Sequence, residues 1–153
     1  MEVLIIAVGK TRKGPEQALV ERYSGRTHWK ITVKEISEQR HDSLERRLAR
    51  EGEAILKLIP KGAFTFVLDS CGAQFKSANF SKKIKNLEDG GTATIAFVIG
   101  GPDGHGKAVI ERSDHLLSLG KMTWPHMVAR AMLAEQIYRA WTIAARHPYH
   151  LGH

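Results

Sequence analysis

The chain alternates between short, nearly unbroken apolar runs and longer stretches in which apolar residues recur every three or four positions. Residues 3–8, 64–68 and 95–99 are runs of strand length, the pattern of strands covered on both faces. Residues 29–36 alternate instead, with Trp29, Ile31 and Val33 against Lys30, Thr32 and Lys34, which predicts a strand with one wetter face. Residues 116–119 add a short fifth strand. Between these runs, Gly14-Pro15 opens a helix over residues 15–23. Asp42 and Ser43 are N-cap candidates for a helix reaching Leu58, with Leu44, Leu48, Ile55, Leu56 and Ile59 as its apolar stripe. Arg46, Arg47 and Arg50 fall on its wetter side, and Pro60-Lys61-Gly62 stops it. Ser77 is placed to cap a helix through Leu87, and a short helix follows Gly106.

The longest helix opens at Gly120-Lys121-Met122-Thr123-Trp124-Pro125-His126, with Thr123 as a candidate cap and Pro125 in its first turn, and ends at His147-Pro148. Val128, Met132, Ile137, Tyr138, Trp141 and Ala145 form its apolar stripe, and Glu135 stands four residues before Arg139, the spacing of a helical ion pair. Strand and helix in strict repetition predict an α/β fold, a mostly parallel sheet with helices on both faces. No linker, repeat or composition shift divides residues 1–153, so one domain is expected.

Two turns stand out at the ends of neighbouring apolar strands, where an α/β sheet builds small-molecule sites. Four of residues 100–106 are glycine, so bare main chain is available to a flat ligand. The spacing Gly101-x-x-x-x-Gly106-Lys107 nearly spells a P-loop. Ala108 stands where that loop needs a hydroxyl for magnesium, and Pro102 removes a backbone donor, so nucleotide hydrolysis is disfavoured.

Charge and cysteine use narrow the class. Twenty-three Lys and Arg against sixteen Asp and Glu leave +7, which points to a polyanionic partner. A single cysteine, Cys71, forbids an internal disulfide and leads to the expectation of a reducing, cytoplasmic setting. With no basic neighbour in sequence, Cys71 reads as packing rather than as a nucleophile. The apolar run after Met1 is too short to span a bilayer and lacks a signal peptide's positive flank, so no membrane role is expected. His147, His150 and His153 are spaced by three, but Pro148 breaks a shared face and no carboxylate or cysteine lies nearby, so no metal is expected. The tail instead offers an aromatic and two titratable rings that could stack on or hydrogen-bond a base.

Several segments together carry a resemblance. Phe97-Val98-Ile99-Gly100-Gly101-Pro102-Asp103-Gly104, Leu117-Ser118-Leu119, Met122-Thr123-Trp124-Pro125-His126, Ala134-Glu135-Gln136-Ile137-Tyr138-Arg139-Ala140-Trp141 and His147-Pro148-Tyr149-His150 resemble, in this order, the ribosomal RNA large subunit methyltransferase H family of the SPOUT superfamily. Ala7-Val8-Gly9-Lys10, Gly52-Glu53 and Leu68-Asp69-x-x-Gly72 extend the likeness over nearly the whole chain. The resemblance implies a methyltransferase that takes its methyl group from S-adenosyl-L-methionine and places it on N3 of a pseudouridine in 23S rRNA, within the ribosome. It also implies a C-terminal trefoil knot, which the general rarity of knots argues against. A homodimer is expected from the chain itself, because 153 residues offer little surface to hold both a ligand and a macromolecule and the stripe of the last helix can serve as core and subunit interface.

Carried over by position, cofactor contacts fall on Leu68, Gly101, Gly120, Lys121, Met122, Thr123, Trp124 and Pro125. The catalytic candidates are His147, Tyr149 and His150 of the tail, with Arg139. Arg12, Lys13, Arg26, Lys30 and Arg139 are candidates for phosphate contacts. The chain departs from the usual family pattern at Gly120-Lys121, at Trp124 in place of Leu, and at Leu151 where the tail often carries Arg. The alternative reading is a non-catalytic RNA- or ribosome-binding protein that keeps the fold.

Overall fold

A computed structural model describes residues 1–40 and 43–152. Five strands, β1 (Glu2–Val8), β2 (Lys30–Ile36), β3 (Phe64–Ala73), β4 (Thr94–Ile99) and β5 (His115–Leu117), form one sheet in the order β2-β1-β4-β3-β5. Every strand pair is parallel. Parallel neighbours need a crossover, and helices α1 (Pro15–Ser24), α2 (Leu44–Leu58), α3 (Ser77–Asp89) and α4 (Lys107–Arg112) supply one between each pair of consecutive strands. Helix α5 (His126–Ala144) follows β5, and a 3-10 turn (Pro148–Gly152) ends the described chain.

The two-residue period of the strands sorts their side chains between the layers. Val3, Ile5 and Ala7 of β1, Phe66 of β3 and Ile95, Phe97 and Ile99 of β4 pack with Phe80 and Ile84 of α3 and Leu133 and Ile137 of α5. Leu4, Ile6 and Val8, with Val67 and Val98, face the opposite way onto Ile55 of α2 and Val109 of α4. The continuous apolar runs therefore belong to strands sandwiched between layers. Phe66 and Phe97 stack with centroids 5.0 Å apart at the centre of the α3/α5 side. Val20 of α1 packs on Ala131 and Ala134 of α5, so α5 lies between α1 and α3.

Local details depart from the sequence expectation where tertiary contacts decide. β3 does not end at Leu68: residues 69–72 bulge out, and Ala73 re-pairs with Leu117. The Asp69 side chain holds the bulge by accepting from the Cys71 N–H at 2.8 Å. Ser77 is the first residue of α3 rather than its cap; Lys76 holds the cap position, and Ser77 Oγ donates to Gln136 Oε1 on α5 at 2.8 Å. Pro125, not Thr123, occupies the cap of α5. Ser43 does cap α2, accepting from the Arg46 N–H, whereas Asp42 lies outside the described residues. Leu44, expected in the α2 stripe, is exposed, and the buried face carries Glu51 and Gly52 beside Ile55. Ala145, expected in the α5 stripe, caps its C-terminus and is exposed. Arg130 of α5, a charged residue, is 1 % exposed.

Candidate functional site

The loops leaving β3, β4 and β5 converge on one cleft of about 640 Å³, within the ~300–1,000 Å³ span of small-molecule sites. Leu68, Asp69 and Ser70 form one wall, residues 99–102 with Gly104 and His105 a second, and Leu119, Gly120 and residues 122–125 a third; His126 and Ala129 of α5 complete it. The cleft thus lies at the carboxyl ends of parallel strands, where loops can vary without disturbing the sheet.

Each loop is fixed by a specific device. The ring of His105 folds back so that Nε2–H donates to the Leu68 carbonyl oxygen at 3.1 Å, tying the β4 loop to the end of β3. That ring occupies the space a side chain at residue 100 would need, since a Cβ on Gly100 would lie 2.9 Å from His105 Cε1 and 2.8 Å from the Gly104 carbonyl oxygen. Burial holds the His105 pKa below the ordinary histidine value against the raising effect of its Leu68 bond, so the ring is neutral near pH 7. From α2, Arg47 ion-pairs with Asp103 at the tip of the glycine loop. Glu51 faces Gly101 from the same helix, and burial raises its carboxyl pKa although Gln39 N–H donates to it at 3.2 Å. The β5 loop turns on Ser118, whose Oγ accepts from Gly120 N–H at 3.1 Å. Gly120 adopts φ 119°, a conformation strained for any side-chain-bearing residue.

Seven of the eight positions expected to hold the cofactor line this cleft: Leu68, Gly101, Gly120, Met122, Thr123, Trp124 and Pro125. Lys121 shares the loop, but its exposed side chain is not part of the lining. Met122, 72 % exposed, and Trp124, 39 % exposed, form an apolar rim. His105 and His126 are wall residues that the sequence reading missed. Neither has a helical or strand periodicity to mark it, because each earns its place through a contact across the fold.

The four catalytic candidates gather elsewhere. Tyr149 O–H donates to Glu135 Oε1 at 3.1 Å, and Arg139 grips the same oxygen at 2.9 and 2.5 Å while lying over the Tyr149 ring. Tyr149 meets Tyr138 edge-on at 4.7 Å, and its N–H donates to His147 Nδ1 at 3.2 Å. Burial, then hydrogen bonding with Tyr23 and the Glu135 charge, raise the Tyr149 pKa, so its phenol stays protonated. The hydrogen bonds that Arg139 donates to Glu135 likewise raise its pKa, so the guanidinium stays charged. His150 is half-buried, with Nδ1 unpartnered among the described residues. This cluster is not at the cleft of its own chain. Ala129 and Arg139 are ten residues apart on α5, roughly 15 Å along its axis.

Among the described residues no group of three His, Cys, Asp or Glu side chains is arranged to hold a metal; His153 lies outside them. No helix among them is long and apolar enough to cross a membrane.

Comparison with known proteins agrees with this geometry. The family model described as "Predicted SPOUT methyltransferase" matches residues 1–150. The chain is 47 % identical over 150 residues to ribosomal RNA large subunit methyltransferase H of Paramagnetospirillum magneticum, covering 98 % of this chain and 99 % of that protein. The proteins of the same name from Rhodospirillum rubrum and Rhodospirillum centenum are 43 % and 44 % identical over the same shares. A full-length family match and relatives of this identity over equal length place the chain in the SPOUT methyltransferase family.

Proposed function

We propose that this protein transfers a methyl group from S-adenosyl-L-methionine to N3 of a pseudouridine in 23S rRNA of the large ribosomal subunit. The observation that carries the reading is the gathering of Leu68, Gly101 and the Gly120 loop, expected from three distant stretches, around one cleft. The cleft fits the donor: it is large enough, its walls are mostly main chain and apolar side chains, and the close packing at Gly100 holds one loop in place. Backbone groups of Leu68, Gly101 and residues 120–125 would hold the nucleoside, and the donor supplies an electrophilic methyl on a sulfonium.

The chain's own task is placement and proton management. Alignment of the attacking nitrogen with the methyl carbon supplies a large share of the rate in such reactions. N3–H of the uracil ring must lose its proton at or before attack, and a nearby cation or donor lowers its pKa. Arg139 is fixed as a cation by Glu135 and lies over the Tyr149 ring, and His150, the next residue after Tyr149, carries an unpartnered ring nitrogen among the described residues. In this reading the tail cluster acts on the cleft of a second copy, because α5 separates it from the cleft of its own chain. A homodimer follows, and the C-terminal knot of the family belongs to the same proposal.

Mass spectrometry of 23S rRNA from cells lacking the protein tests this. Loss of one methylpseudouridine, restored by the wild-type gene, is expected; an unchanged methylation pattern overturns the substrate assignment. Calorimetry with S-adenosyl-L-methionine separates an enzyme from a non-catalytic RNA-binding protein, which would give no isotherm.

A further inference from the structure

Arg130 is the largest fully buried side chain, yet nothing in the proposed chemistry uses it. A guanidinium out of water is costly unless its donors are paired, so its partners show what it is for. They are nearly all one loop. Arg130 donates to Thr11 Oγ1 at 2.8 Å, to the Gly9 carbonyl oxygen at 2.5 Å and to Glu35 Oε1 of β2 at 2.7 Å. The same Glu35 oxygen accepts from Thr11 N–H at 2.8 Å, closing the ring of contacts. One turn earlier on α5, the His126 ring packs against Gly9 and also lines the cleft. The loop after β1 is therefore fastened to the helix that forms the cleft wall.

That loop carries Lys10, Arg12 and Lys13, all exposed and, among the described residues, without an ion-pair partner. Arg12 is close enough to His126 to lower its pKa. The other basic residues expected from the sequence to contact phosphate are spent or remote. Arg139 is paired with Glu135, and Lys30 with Glu2. Lys30 and Arg26 also lie at the start of β2, whose seven residues span roughly 23 Å, so they sit at the end of the parallel sheet away from the cleft.

We propose that residues 10–13 are the phosphate-gripping surface for the rRNA backbone beside the target nucleotide, and that Arg130 and Glu35 are positioning residues holding it there. This rests on the methyltransferase reading for the nature of the polyanion. Phosphate contacts fix orientation without reading sequence, and each adds to the salt dependence of binding.

The test is binding of the full-length protein to purified 70S ribosomes across a potassium chloride series, with donor affinity measured separately by calorimetry. Replacing Lys10, Arg12 and Lys13 together by Ala should lower the slope of log Kd against log salt by about 2, at roughly 0.7–0.9 per phosphate contact. Donor affinity should stay within about twofold, because none of the three lines the cleft. Arg26→Ala with Lys30→Ala should leave the slope at the wild-type value. Thr11→Val, which keeps Arg130 and the fold's charge balance, should weaken ribosome binding while leaving donor affinity alone. A triple variant with the wild-type slope overturns the proposal, as does an equal loss from Arg26 and Lys30. A wild-type protein that grips ribosomes with a steep salt slope but shows no donor isotherm would sink the enzyme reading and spare this surface.

Discussion

At the residue scale burial favours the neutral form of three histidines, two of which, His105 and His126, line the cleft. His105, His115 and His126 all have pKa values lowered from the ordinary histidine value, in each case chiefly by burial. The unfolded chain therefore binds more protons than the folded one as pH falls below about 6.5. The stability these groups contribute is present above that value and is lost as pH drops through their lowered folded values. Urea unfolding at a series of pH values should show a steady loss from about pH 6.5 downward, steeper than carboxylate titration alone would give. In His105→Leu that slope should flatten by up to one proton, while the lost bond to the Leu68 carbonyl costs about 1 kcal/mol at neutral pH. An unchanged slope would mean that His105 is charged in the folded protein. The position was not legible in the sequence because its partner lies 37 residues upstream and is a main-chain oxygen. The glycines around it were legible, since a run so rich in glycine has few other uses at a strand's end.

At the element scale the end of α5 aims the tail. His147 N–H donates to the Thr142 carbonyl at 2.8 Å and Arg146 N–H to that of Ile143 at 3.2 Å, the paired closure in which the residue just past the cap turns left-handed. That residue is Arg146, at φ 53°, where glycine is the usual choice. Arg146→Gly should therefore raise stability by about 0.5–1 kcal/mol, read as an upward shift of the thermal midpoint. The turn brings Tyr149 back onto Tyr138 and Glu135, so Tyr149→Phe should cost about 1 kcal/mol while keeping the ring contact. The sequence located both ends of this helix to within a few residues and paired Glu135 with Arg139, because spacing along one helix determines which side chains meet. It misplaced the caps at Ser77 and Thr123. Ser77 bonds to a helix 59 residues away, and cap preference alone carries no information about such a partner.

At the scale of the whole molecule, the layer order and the strand positions follow from the apolar runs, whereas strand order and the separation of cleft from tail do not. Ala129 faces the sheet at the cleft, and Glu135, six residues on, lies about 120° round the helix, holding Tyr149 on the side of α1. The proposed site, which needs both parts, draws them from two chains, and a two-fold dimer would supply two such sites. Complementation distinguishes this from a site within one chain. Gly120→Val should distort the cleft loop, since φ 119° resists a branched side chain, and nothing lies within 4 Å to transmit the damage to the core. His150→Ala removes the tail's ring nitrogen and leaves the cleft intact. Each variant alone should be inactive or nearly so, whichever arrangement holds. Co-expressed in equal amounts, half of the dimers would be mixed, and each mixed dimer would join one intact cleft to one intact tail. About a quarter of the wild-type sites should then be restored, as methylation per chain measured on ribosomes from a strain lacking the gene. No recovery from a mixture shown to contain mixed dimers would place cleft and tail in the same chain, and the tail would have to leave Glu135 and Tyr138 to act.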